Sequence, residues 1–137
     1  AVAKAGADLV IFHPEATRFP FRVAEIIRGA GVRVGIALLL KTPISEIRPV
    51  LERVDQVLVM TADPEPADGF HRVALDKVRA LRGGLREIAV DGGVNPSVIP
   101  MIEEAGATTV IAGRAVFGAG LDHVAASIDA LRGRERA

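Results

Sequence analysis

The sequence predicts an α/β fold: a partial (β/α)8 TIM barrel of about five βα units with parallel strands. Three observations carry that prediction. Short β-branched apolar runs alternate five times with stretches of helical spacing. The runs are continuously apolar rather than alternating, as expected of parallel strands covered on both faces. The glycine-bearing strand ends, Asp91-Gly92-Gly93 and Ala112-Gly113-Arg114, come last. Barrels place phosphate sites there, after strands seven and eight.

The predicted strands are residues 8–12, 33–39, 56–61, 87–90 and 109–112. Helical spacing is read over 21–28, 44–53, 73–82, 96–105 and 121–131. The last has the cleanest stripe: Leu121, Val124, Ile128 and Leu131. Thr42-Pro43 and Asn95-Pro96 each set a capping side chain before a proline suited to a first helical position. The unit repeats: Ala5-Gly6-Ala7-Asp8-Leu9-Val10-Ile11 resembles Ala105-Gly106-Ala107-Thr108-Thr109-Val110-Ile111. With no linker between units, residues 1–137 are expected to form a single domain.

An open doubly wound sheet is the rival architecture, but it usually carries its glycine-rich loop after the first strand. Here that turn is His13-Pro14-Glu15-Ala16-Thr17, without glycine. If the last two strands are seven and eight, the first is strand four. Three units are then expected upstream, in keeping with an opening, without Met, that reads as the end of a helix stopped by Gly6. The strands at the two ends would have unpaired edges, so association into homo-oligomers is expected.

Composition narrows the function. Half the residues are apolar and a quarter charged, which suits a globular domain with an aliphatic core. Seventeen basic residues balance seventeen acidic ones, so no net field favours nucleic acid or an anionic membrane. Five Phe, with no Tyr or Trp, leave few platforms for stacked bases. The absence of cysteine excludes disulfides and thiolate chemistry and fits a reducing cytoplasm. The apolar stretch 36–40 is too short to span a bilayer. The short tail Arg132-Gly133-Arg134-Glu135-Arg136 reads as a solvated helix end.

Asp91 is the residue with the most to say. It ends a buried strand, where a carboxylate can transfer protons or bind a metal. Gly92 and Gly93 let the backbone turn and bring N–H groups close to an anion such as a phosphate. Gly113 and the Arg114 amide could complete that cradle, with the guanidinium adding a charge-assisted bond; a plain strand-to-helix turn has the same residues. His13 and Glu15 sit at the expected barrel mouth, and His13 reads as a structural or substrate-lining residue. Met60 reads as a core methionine, and His71 and His123 have no assigned role.

Phe12-His13-Pro14-Glu15-Ala16, Thr42-Pro43, residues 55–61, Val90-Asp91-Gly92-Gly93-Val94 and Ala112-Gly113-Arg114-Ala115-Val116-Phe117 occur in the order and spacing of ribulose-phosphate 3-epimerases. The resemblance spans essentially the whole chain and matches that family from its fourth strand onward. It implies epimerisation of ribulose 5-phosphate and xylulose 5-phosphate at C3 by two aspartates on opposite faces of the substrate. It also implies a divalent metal (Zn, Fe, Mn or Co) that stabilises the enediolate. Asp91 matches the second aspartate and a metal ligand; Gly92, Gly93, Gly113 and Arg114 match phosphate-binding positions. Met60 matches a methionine near the metal, and His13 a residue at the barrel mouth. The first aspartate and two metal-binding histidines of the family have no counterpart here. The family's glycine-rich flap is replaced by the acidic, proline-containing residues 62–70, which makes a non-catalytic or divergent sugar-phosphate-binding barrel the alternative reading, and the cradle position usually filled by Ser is Arg114.

Overall fold

In the computed structural model of the chain, residues 2–63, 69–84 and 87–133 are described. The centre of the expected flap, residues 64–68, and tail residues 134–136 lie outside them. Five strands form one sheet: β1 (Leu9–Phe12), β2 (Arg33–Leu38), β3 (Gln56–Met60), β4 (Ile88–Asp91) and β5 (Thr109–Ile111). All neighbours are parallel, in the order β1-β2-β3-β4-β5. A doubly wound sheet reverses direction at a switch point. This sheet never does, so right-handed crossovers put every helix on the same face. That is the winding of a barrel.

Alternation along the strands separates two apolar clusters. Val34, Ile36, Leu38, Val57, Val59, Ile88 and Val90 pack with Ala24, Leu75, Val78, Ile102 and Ala105 from the helices. Ala37, Leu58 and Ala89, with Ile11 and Met60, point the other way into a smaller cluster built from strand residues alone. This second face is the barrel interior, and Asp91, two residues beyond Ala89, belongs to it. At the opposite end of the same face Gln56 Nε2 donates to Glu87 Oε1 at 2.6 Å, and Arg33 pairs with the other oxygen of Glu87.

The helices are α1 (Pro20–Gly29), α2 (Leu75–Leu81), α3 (Ile99–Ala105), α4 (Arg114–Phe117) and α5 (Val124–Leu131). Residues 44–53, expected as an α-helix, are instead two 3-10 segments, Ile44–Glu46 and Arg48–Arg53. Pro49 is the physical reason: it has no N–H to give and its ring crowds the carbonyl four residues back. The apolar spacing survives because Ile44, Ile47 and Val50 are three apart, the period of a 3-10 helix; Ile47 and Val50 are buried. Two expected caps differ as well. Thr42 turns its hydroxyl to Glu15 instead of a helix. Asn95 Oδ1 accepts from Ser97 N at 3.0 Å, which closes a turn, and α3 starts only at Ile99. The stripe expected over 121–131 is less buried than its spacing suggested: Leu121, in a 3-10 turn ahead of α5, is 82% exposed, and α5 has no fully buried residue.

Candidate functional site

The interior ends of β3, β4 and β5 meet at one level, because Met60 pairs in register with Asp91 and Asp91 with Ile111. A cavity of about 260 Å³ opens above them. Met60, Asp63, Asp91, Gly92, Gly93, Ile111, Gly113 and Arg114 contribute to its wall. The residues singled out in the sequence at β4 and β5 therefore share one cavity. His13 does not line it; it stands at the end of β1, three strands away in the sheet.

Asp91 is partly buried, and burial pushes its carboxyl above the usual range; a hydrogen bond from the Gly92 backbone opposes the shift. A carboxylate made more basic in this way is better matched to taking a proton from carbon. The shift also affects stability. A raised folded-state pKa means stability is full below the unfolded pKa and declines as pH rises through the folded one. Asp91→Asn is therefore expected to raise the thermal midpoint at pH 7 by about 1–3 °C. The gain should close as the pH falls below about 3, under the ordinary carboxylate range, where the wild-type carboxyl is protonated in both states. Thermal scans at both pH values check this; an equal gain at both would refute the assignment.

Gly92 and Gly93 have φ of 115° and 67°, in the region that favours glycine. Their missing side chains make room for protein as well as for a ligand. A Cβ on Gly92 would lie 2.6 Å from Ala62 N, and one on Gly93 2.7 Å from Phe70 N. Both ends of the loop after β3 thus rest directly on the glycine pair. Gly113 differs: a Cβ there would meet nothing within 4 Å, so its space is open to the cavity. Arg114 is exposed and also lines a second cavity of about 390 Å³, formed with Gly69, Phe70, Gly93 and Asn95. Its side chain can reach either space.

Two residues passed over in the sequence hold this rim together. Thr61 is fully buried; its hydroxyl lies 2.6 Å from Gly92 O and 3.0 Å from Asp91 O, and its N–H donates to Asp91 O at 2.7 Å. Lys77 spans from α2 to the loop after β2. Neither has a local sequence signal, since both bond to backbone roughly thirty residues or more away.

Fold and site together define a singly wound barrel segment with a partly buried carboxylate and a glycine-lined cavity at the strand ends. The comparisons agree with that class. The model of the ribulose-phosphate 3 epimerase family matches residues 1–117. The chain belongs to the ribulose-phosphate 3-epimerase family. It is 41% identical over 128 residues to ribulose-phosphate 3-epimerase 2 of Cupriavidus necator, covering 85% of this chain and 53% of that protein. It is 41% identical over 137 residues to ribulose-phosphate 3-epimerase of Mycobacterium tuberculosis (95% and 59%). The chain thus spans just over half the length of these curated relatives. Among solved structures, 3-keto-L-gulonate-6-phosphate decarboxylase from Vibrio cholerae superposes with a TM-score of 0.74 at 25% identity, over 95% of this chain and 61% of that one. A tryptophan synthase α-subunit from Pyrococcus furiosus reaches 0.74 at 21% identity (96% and 58%), a likeness of fold alone. No helix among the described residues is long and apolar enough to cross a membrane.

Proposed function

We propose that this chain carries the phosphate cradle and one of two acid–base carboxylates of a pentose-phosphate 3-epimerase. The observation that carries this reading is the single cavity that joins Asp91 to Gly92, Gly93, Gly113 and Arg114. In it, the amides around the glycines and the Arg114 guanidinium hold the phosphate of ribulose 5-phosphate. Asp91 takes the C3 proton on one face, leaving an enediolate, or delivers one to that carbon on the return. The resemblance to the family implies a divalent metal to stabilise that enediolate. The described residues contain no group of three or more His, Cys, Asp or Glu able to hold one. Asp91 alone does not make such a site. A freely diffusing sugar phosphate and a cysteine-free chain both suit a cytoplasmic setting.

One carboxylate on one face cannot remove a proton there and return another to the opposite face. The 137-residue chain is therefore expected to bind ribulose 5-phosphate without converting it to xylulose 5-phosphate. Amide spectra recorded during titration to millimolar ligand should shift at Gly92, Gly93, Gly113 and Arg114. Asp91→Asn should keep the binding, while Gly93→Asp should lose it by about tenfold or more, through like-charge repulsion and the crowding of Phe70. Absence of shifts at these amides would sink the proposal, and interconversion by the chain would sink its half-site part.

A further inference from the structure

Lys77 takes no part in the chemistry above. It stands in the first turn of α2, yet its ammonium lies against the loop that follows β2. Nζ donates to the carbonyls of Leu39 at 2.7 Å, Leu40 at 2.8 Å and Thr42 at 2.7 Å. An ammonium has three donors, and all three are spent on this one loop. Burial pushes the amine's pKa down, while Glu15 from the loop after β1 attracts its charge. The contacts continue from there. The hydroxyl of buried Thr42 donates a hydrogen bond to Glu15 Oε1. Glu15 Oε2 lies 3.8 Å from His13 Nδ1, an enclosed nitrogen with no hydrogen-bond partner among the described residues. A cation on the third crossover thus grips the second loop, and the second loop grips the first.

We propose that Lys77 is a positioning residue for the barrel mouth: it fixes the loop after β2 and, through Thr42 and Glu15, the loop that carries His13. Loop carbonyls of this kind can be hydrated by water, at no cost in ordering a long side chain. Holding them with a partly desolvated ammonium costs solvation. What is gained is a rim held in one arrangement, as a site on strand ends requires. The proposal goes beyond the epimerase reading and does not rest on it, since the grip exists without a substrate.

The test compares amide hydrogen exchange in the full chain, its Lys77→Met and Thr42→Val variants, with no ligand present. Lys77→Met keeps the length of the side chain and removes every donor. It should speed exchange about tenfold or more at residues 40–47 and 13–17, while β3 and β4 stay as protected as before. Thr42→Val should loosen residues 13–17 and leave 40–47 protected. The imidazole resonances of His13 should move in both variants, with those of His71 and His123 unchanged. Uniform acceleration across the sheet would mean that Lys77 only adds stability, and unchanged exchange would mean that it grips nothing; either overturns the proposal. If Lys77→Met does not fold, Thr42→Val still decides the link to the His13 loop: no effect at residues 13–17 rejects it.

Discussion

Gly92→Ala is expected to lower the thermal midpoint of the chain by roughly 10 °C, and Gly113→Ala to leave it within about 2 °C. The two glycines look alike in the sequence, since each follows the end of a strand. Their surroundings separate them. At Gly92 a methyl group would meet the Ala62 amide nitrogen at 2.6 Å and its Cβ at 2.8 Å, with φ at 115°. The backbone alone disfavours alanine there by about 1–2 kcal/mol. Forcing the loop after β3 aside adds about 1–3 kcal/mol more. That loop cannot move alone, because Thr61 holds both Asp91 O and Gly92 O. Gly113 has φ of −80° and nothing within 4 Å, so alanine fits. Circular dichroism melts of the two variants check the contrast. Equal midpoints would show that the loop gives way freely at Gly92.

At high micromolar concentration the chain is expected to sediment as dimers or larger species, and Val110→Lys is expected to shift it toward monomer. β1 and β5 each pair on one side only among the described residues. All three residues of β5 are exposed, Val110 at 37% and Ile111 at 40%. An open parallel edge presents unpaired N–H and C=O groups, and lysine on an edge strand is one way proteins blunt such edges. Sedimentation velocity over a range of concentrations reads the outcome directly. A wild-type chain that stays monomeric throughout would mean that the edges are covered in some other way.

The parts of this molecule that repeat locally were legible in the sequence. All five strands lie where continuous apolar runs predicted them, within a residue or so at each end. The cavity residues were legible because glycine and aspartate at a strand end limit what the backbone can do. Residues 44–53 show the converse. Their apolar stripe was real, but Pro49 left 3-10 turns as the way to bury it. Arg114–Phe117, given no helix by the sequence, is a short helix, too brief to show a period. Thr61 and Lys77 were invisible for a different reason. Their partners are carbonyls, which every residue has, at separations of 30 and 35 positions or more. No pattern of side chains along the chain encodes that meeting; only the closing of the sheet does.

The unreversed strand order also bears on how the molecule is made. Each strand pairs with the one synthesised just before it, at register separations of 24, 21, 31 and 20 positions. Among the described residues no pairing waits for a distant partner, so the cost of closing each of these loops is nearly constant. Such a sheet can accrete unit by unit behind the ribosome, each finished strand serving as template for the next. The slowest addition should be β4. Its crossover is the longest, and its seat is complete only when the loop after β3 has settled on Gly92 and Gly93.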